Sequence, residues 1–436
     1  MPFLSKVLEK AAVAQFMGHC DSHQLLPNFQ SAYRTNFSCE TALIKLMNDL
    51  LWAMEHQKVT AVMAIDLSAA FDTVDHDVLL DVLRVKFGIH SNALNWFESY
   101  LRPRNCMINV GSSYSSVKDI DFSVPQGSCA GPILFLAYAS TMQEAIPELV
   151  DIHGYADDHA LKVSFSAGDR NDEKAAISHL ENCAIDIKNW MDQNRLKMNS
   201  SKTEFILIGS RQQLEKSITS SLNVNGEVVE LTNVIKYLGV HLDQQLNLKH
   251  HISQKCKTAM WQLQRIKRFR SVLTQEACET LVLGLIISHL DYANALYIGI
   301  PACDMSKLQR VQNIAARLVI NDGTRSHECL KKLHWLPIRL RIKYKVLTIL
   351  YKSLAGNAPP YLQDLVTLDV PRRAGLHSQN LHRKLFVPKT KRKTFASRSF
   401  SAIAPIWWNE LPDDLRLLQT IDVFKKNLKT FLFTQF

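Results

Sequence analysis

The chain has 436 residues, 51 Lys and Arg against 41 Asp and Glu, a formal charge of +10 and a pI of about 9.1. That length allows two or three domains with their own cores, and the basic balance suits a polyanionic partner such as nucleic acid. Nine cysteines occur without one Cys-x-x-Cys pair, which argues against a zinc knuckle or redox motif and for free thiols in a reducing compartment.

The opening residues intersperse charges among apolar groups, unlike a signal peptide. Apolar groups three and four apart then predict a helix over 39–56. An apolar strand follows at 61–67, with Asp66 near its end. Helical patterns return over 75–87, ended by Gly88, and over 91–101. The runs 107–110 and 114–117, split by Gly111-Ser112-Ser113, predict a hairpin. Residues 132–145 form an apolar helical pattern, and 152–163 predict a hairpin with Asp157 and Asp158 at its turn. An amphipathic helix is expected over 175–191, a strand over 203–209, and another over 234–242 with Gly239 inside it.

The chain then changes character. Residues 249–270 hold seven Lys or Arg and no acid, and helical patterns continue to about 355. The apolar run at 281–290 is too short to span a bilayer. Pro359-Pro360 breaks the helical pattern, and 371–398 hold nine Lys or Arg, again with no acid. The expected architecture is an α+β catalytic unit followed by a helical, basic half. The chain is expected to be intracellular, in nucleus, cytoplasm or both, and neither secreted, zinc-binding nor membrane-associated.

Tyr155-Ala156-Asp157-Asp158 carries the strongest chemical signal. Adjacent carboxylates repel, so one takes up a proton unless a cation neutralises them. Two Mg²⁺ ions, with Mn²⁺ as a substitute, are the usual remedy, and two metals are what nucleotidyl transfer needs. The alternative is a solvated Asp-Asp turn. Asp66 taken alone reads first as a turn residue before Ser68-Ala69-Ala70. Phe71 is either core or a platform under an incoming sugar that excludes a 2′-hydroxyl. Val124-Pro125-Gln126-Gly127-Ser128 is either a plain loop with Ser128 as N-cap, or a loop that brings Gln126 to a nucleotide, with Gly127 letting the backbone approach a base pair. Lys202 is either a solvated charge or an acid for leaving pyrophosphate. Tyr237-Leu238-Gly239-Val240 is a common strand when read alone. The order of five elements, the strand Asp66, Pro125-Gln126-Gly127-Ser128, Tyr155-Ala156-Asp157-Asp158, the Asn199-to-Thr203 element with Lys202, and Tyr237-Leu238-Gly239-Val240, favours a polymerase palm.

These residues resemble the ordered motifs of reverse transcriptases, most closely those of non-LTR (LINE-type) retrotransposons. Ala64-Ile65-Asp66-Leu67 through Phe71-Asp72 to His76 resembles the first catalytic motif, Pro125-Gln126-Gly127-Ser128 the second, and Tyr155-Ala156-Asp157-Asp158 the third. Gln30-Ser31-Ala32-Tyr33-Arg34 resembles a fingers motif, and Ala93 to Leu101 the segment between the first two motifs. The likeness is strong from 1 to about 245 and rests more on position and charge over 246–320. His334-Trp335-Leu336-Pro337 resembles the tails of some such elements.

The resemblance implies an RNA-directed DNA polymerase with an RNA template, a DNA primer and dNTPs. The fold it implies is a right hand. Partial fingers and a palm with an antiparallel sheet of split βαβ type occupy 1–245. A helical thumb occupies 246–320, and a basic C-terminal extension of unknown role 321–436. Asp66 and Asp157 would ligate two Mg²⁺, supported by Asp158 and the carbonyl of Leu67. Arg34 would lie near the triphosphate, Phe71 would gate against ribonucleotides, and Gln126 and Gly127 would line the nucleotide site. Tyr237, Leu238 and Gly239 would hold the primer end. Lys255, Lys257, Arg265, Lys267 and Arg268 would lie along template–primer phosphates. The resemblance also implies an N-terminal truncation, because residues 2–10 resemble a segment that follows an Arg-bearing fingers motif. A catalytically inactive or co-opted nucleic-acid-binding relic is the alternative.

Overall fold

The strand expected at 61–67 runs from Lys58 to Ser68 and forms the spine of the first of two compact units. The computed structural model describes residues 3–68, 71–198, 202–369, 383–392 and 394–436, with the side chains of 66–68 and 198 outside that description. The first unit comprises Met1–Thr35, Ala61–Leu207 and Ser217–Thr232. The second comprises Asn36–Thr60, Ile208–Lys216 and Asn233–Phe436. The linear boundaries at 245 and 320 do not mark these units, because the chain passes between them several times.

In the first unit Ala61, Val62, Met63 and Ile65 are all buried. A continuous apolar run of this kind is what a strand covered on both faces requires. The sheet order is Asp151–Tyr155, Asp158–Ser166, Lys58–Ser68, Lys197–Met198, and Glu204–Ile208 also pairs with Lys58–Ser68. The first two strands form an antiparallel hairpin, and Lys197–Met198 runs antiparallel to the central strand. Helix Arg170–Gln193 buries Leu180, Cys183, Ala184 and Ile187 along one face. It starts before the expected 175 because Asp169 Oδ1 accepts from the amides of Asn171 and Asp172. Helix Gly131–Ala139 is apolar all round and buried at every position but Pro132. Its continuation to Ala145 is a 3₁₀ helix.

Besides the short strand Lys197–Met198, a helix and a hairpin of this unit lie outside the expected elements. Phe3–His23 is a helix. Ser221–Val224 and Glu227–Glu230 form an antiparallel hairpin turned by Asn225 and Gly226, both left-handed. Asn-Gly is the residue pair that such a turn favours.

The second unit is mostly helical. Helix Cys39–Glu55 begins with a capping box between Ser38 and Thr41 and buries Leu43, Leu46, Leu50 and Met54. Its opposite partners come from the end of the chain. Trp52 Nε1 donates to Ser401 Oγ at 2.8 Å, Asn48 Oδ1 accepts from Ser401 N at 3.1 Å, and Lys345 Nζ pairs with Glu40 Oε2 at 3.0 Å. Tyr351 stacks on Phe424 with ring centroids 4.4 Å apart, and Trp408 closes the cluster. Lys345 and Ser401, both beyond 321, therefore pair with helix Cys39–Glu55 within the second unit.

The strand expected over 234–242 is instead a hairpin of Val234–Tyr237 and Val240–Asp243. Leu238 and Gly239 have φ of 45° and 74°, and two successive left-handed residues reverse the chain. Among the described residues no helix is long and apolar enough to cross a membrane. All nine cysteines are free thiols.

Candidate active site

In the first unit Tyr155 and Asp158 form the closing pair of the hairpin, which leaves Ala156 and Asp157 as a two-residue loop. Ala156 is 6% exposed and has φ of 58°. That left-handed conformation costs an alanine about 1–2 kcal/mol. Gln30, 2% exposed, holds it there. Gln30 Oε1 accepts from Ala156 N at 2.9 Å and from Ala32 N at 3.1 Å, and Gln30 Nε2 donates to Ala156 O at 3.2 Å.

The main chain beside Gln30 follows the hairpin. Ser31 N donates to Gly154 O at 2.9 Å and Gly154 N to Phe29 O at 3.0 Å. Gly154 leaves space for this approach, since a Cβ there would meet Phe29 and His159 ring carbons at 3.0 Å. Arg34 Nη1 donates to the carbonyls of Pro27 and Gln30 at 3.0 and 3.2 Å. That part of the Arg34 guanidinium braces its own loop.

His159 supports the turn from the other side. Its Nδ1 lies 3.1 Å from Asp157 O. A carbonyl only accepts, so Nδ1 carries the proton. Burial pushes the imidazole pKa down to about 4 and keeps the ring neutral. Asp157 and Asp158 stay partly exposed. Burial and then the charge of Asp157 raise the Tyr33 hydroxyl above its ordinary value, which places Tyr33 in the field of the acidic turn.

Asp66 and Leu67 sit near the end of the central strand, beside the strand that begins at Asp158. Leu67 faces Met198 in the ladder. The side chains of Asp66 and Leu67 lie outside the described residues. Among the described residues no three His, Cys, Asp or Glu cluster as a metal site. The donor chemistry nevertheless fits a hard divalent cation. Two adjacent, partly exposed carboxylates on a pinned turn supply oxygen ligands, as Mg²⁺ and Mn²⁺ prefer.

The second predicted loop is laced to the first motif. Val124 N donates to Phe71 O at 3.0 Å and Ser123 N to Val74 O at 2.7 Å. Gln126 Nε2 donates to Asp72 Oδ1 at 2.9 Å. Phe71 packs on the buried Phe135, with ring centroids 4.9 Å apart. Gly127 has φ of 76°, which a residue with a Cβ rarely adopts. Ser128 Oγ accepts from Gly131 N at 2.8 Å, but Ser128 is not the expected N-cap, because that position of helix Gly131–Ala139 is Ala130 and Ser128 lies two residues before it. Glu9, 1% exposed on the first helix, adds a cap the sequence did not reveal. Its Oε2 accepts from Cys129 N and Ala130 N at 2.5 and 3.2 Å, at the positive end of helix Gly131–Ala139. Lys202 is exposed just before strand Glu204–Ile208.

The second unit carries the remaining candidates. Tyr237 and Leu238 are buried at the hairpin described above, and Gly239 is exposed at its tip. Tyr292 Oη donates to Leu238 O at 2.6 Å. On helix Lys249–Phe269 the residues Lys257, Arg265, Lys267 and Arg268 are exposed. Lys255 departs from the expected phosphate track. It is 4% exposed, and its Nζ donates to the carbonyls of His289 and Tyr292 at 2.8 and 2.5 Å. Its position in the helix, two residues from Lys257, turns it to the apolar face with Ile252, Ala259 and Leu263. The exposed face holds an aromatic not singled out in the sequence. Trp261 is 58% exposed, and the Arg265 guanidinium lies 4.7 Å from its ring centroid.

Residues 1–242 match the sequence model of the family described as reverse transcriptase (RNA-dependent DNA polymerase). The chain is 27% identical over 259 residues to the RNA-directed DNA polymerase from mobile element jockey of Drosophila melanogaster, covering 58% of this chain and 27% of that protein. It is 26% identical over 327 residues to the probable RNA-directed DNA polymerase from transposon BS of the same species, covering 72% and 35%. The chain thus spans about a third or less of the length of these curated relatives. Among solved structures, apo telomerase from Candida tropicalis shares 11% identity at a TM-score of 0.41, covering 78% of this chain and 54% of that one. Likeness at that level fixes neither fold detail nor function.

Proposed function

Because this chain belongs to the reverse transcriptase family, we propose that it is an RNA-directed DNA polymerase, adding dNTPs to a primer 3′-hydroxyl on an RNA template. The observation that carries this reading is the pinned hairpin turn bearing Asp157 and Asp158, beside the strand that bears Asp66. In this reading the first unit supplies the palm and part of the fingers of a right-hand polymerase. The helices within 246–320 supply the thumb.

Asp66, Asp157 and Asp158, with the carbonyl of Leu67, would hold two Mg²⁺ or Mn²⁺ ions. Held by these residues, such ions would supply Lewis acidity toward a primer hydroxyl and positive charge beside a leaving pyrophosphate. The protein's own residues position the reactants. Phe71, braced by Phe135, presents a fixed wall against a ribose 2′-hydroxyl. Gln126 and Gly127 offer an exposed amide and a backbone without a Cβ where a nucleotide would lie. Lys202 protonates departing pyrophosphate. Arg34 orders the loop that carries Tyr33 and Gln30.

In the second unit the Tyr237–Gly239 turn holds the primer end. Lys257, Arg265, Lys267 and Arg268 follow duplex phosphates, contacts that position without reading sequence. The nine free thiols accord with a protein that works inside the cell.

Primer extension on poly(rA)/oligo(dT) with Mg²⁺ and dTTP tests this function, run beside Asp157→Ala. Extension that the substitution abolishes, with template–primer binding intact, is the expected result. No extension by the unsubstituted chain, with binding intact, would identify a nucleic-acid-binding chain without turnover.

A further inference from the structure

We infer that Gln30 is a positioning residue whose side-chain amide fixes the conformation of Ala156, and through it the carboxylates of Asp157 and Asp158. The inference rests on the polymerase reading for its kinetic consequences, but the clamp itself stands on geometry. A two-residue hairpin loop leaves the N–H and C=O of its first residue outside the ladder, and a buried peptide group needs partners. At Ala156 one side chain from 126 positions away supplies both, Oε1 to the N–H and Nε2 to the C=O. The second lone pair of Oε1 takes Ala32 N, so the amide can rotate neither way without losing a partner.

The clamp is itself anchored. The Gln30 main chain lies in a parallel bridge to Gly154, one residue before the closing pair. Arg34 Nη1 donates to Gln30 O and Pro27 O, which ties the loop to a second point. Gln30 is too buried to touch a nucleotide, so any effect on turnover must pass through the turn. The left-handed φ of Ala156 explains why a turn of this sequence needs a clamp. Glycine adopts that conformation unaided, and alanine does not.

Gln30→Met, which keeps the volume and removes every polar contact, tests the inference in the full chain. Primer extension should show kcat lowered roughly 10–100-fold, as for a displaced reacting group. The KM for dNTP and the Kd for template–primer should stay within about twofold, and the Mg²⁺ activation midpoint should rise. Ala156→Gly introduced beside Gln30→Met should recover part of kcat, because glycine needs no clamp to stay left-handed. A packing role for Gln30 would gain nothing from that glycine. Wild-type kcat and Mg²⁺ midpoint in Gln30→Met, or a loss that Ala156→Gly leaves untouched, would overturn the inference.

Amide exchange across 154–158 gives a readout free of turnover. Exchange at Ala156 should accelerate about tenfold or more in Gln30→Met, with the helix Arg170–Gln193 unchanged. If the unsubstituted chain extends no primer, the polymerase reading fails while this readout still decides the clamp. Unaltered exchange at Ala156 would refute it.

Discussion

Gln126 Nε2 donates to Asp72 Oδ1 at 2.9 Å, and this hydrogen bond joins two loops that lie 54 residues apart in the sequence. Asp72 follows Phe71, and Gln126 precedes the left-handed Gly127. The contact is exposed, so solvent screens it, and it is worth about 1 kcal/mol. Its value lies in order, since it holds both loops in register over the place proposed for a nucleotide.

Gln126→Leu should therefore raise the KM for dNTP roughly fivefold while changing kcat less. Asp72→Asn keeps an acceptor and should stay near wild type. Steady-state kinetics with varied dNTP check both. An unchanged KM in Gln126→Leu would mean that the two loops hold their register without this bond.

Gly154→Ala should destabilise the first unit. The added methyl would meet the Phe29 and His159 rings at 3.0 Å on a backbone that is otherwise normal. Both rings belong to the supports of the acidic turn, and overpacking of this sort costs about 1–3 kcal/mol. Denaturant unfolding should show a lower midpoint at constant slope. A midpoint equal to wild type would show that Phe29 moves aside at no cost.

Stability should fall as the medium is acidified from about pH 6.5 toward 4. His159 is held near 4 when folded, against 6.5 in an open chain, so the unfolded state binds the extra proton in that window. Stability then rises with pH across it, and the stabilisation is present above 6.5 and lost toward the folded value. The shift corresponds to about 3 kcal/mol. His251 of the second unit, pushed down to about 3 by burial, adds to the same slope. His159→Gln should flatten the slope in thermal unfolding followed at several pH values. An identical slope in that variant would remove His159 as a contributor.

Lys255 and its exposed neighbours should behave differently on substitution. Lys255→Met leaves the carbonyls of His289 and Tyr292 without their donor and should cost about 2–4 kcal/mol of stability. It should not change the salt slope of template–primer binding. Lys257→Ala and Arg265→Ala should each lower that slope by about one. Trp261→Ala should weaken binding with the slope intact, because stacking releases no counterion. Binding measured from low to high salt separates the three. A salt slope lowered by Lys255→Met would return that lysine to the phosphate track.

Much of the first unit was legible because its signals are local. The run ending at Asp66 declares a buried strand by apolar continuity. The acidic pair declares a turn because Asp-Asp between two short apolar runs has few other places to sit. The periodicity of 91–101 yielded that helix with its ends intact. The misses have local causes too. At 238–239 an apolar strand pattern hides two left-handed residues, and at 225–226 the Asn-Gly pair that favours a tight hairpin turn stands between two runs too short to declare strands.

The sequence by itself determined the family, the order of the motifs, and that Asp157 and Asp158 would stand at a hairpin turn. It did so because backbone propensity and spacing act over a few residues and are written contiguously. Only the tertiary structure decided how those motifs are held. Nothing near position 30 announces a partner at 156, nothing near Glu9 a helix end at 130, and, although the 3/4 spacing of Ile252, Ala259 and Leu263 places Lys255 on their face, nothing near Lys255 announces the carbonyls at 289 and 292. Those outcomes depend on burial, where an unpaired amide, carbonyl or ammonium costs more than it does in water. The fold therefore brought Gln30 to Ala156, Glu9 to Cys129 and Ala130, and Lys255 to the carbonyls of His289 and Tyr292.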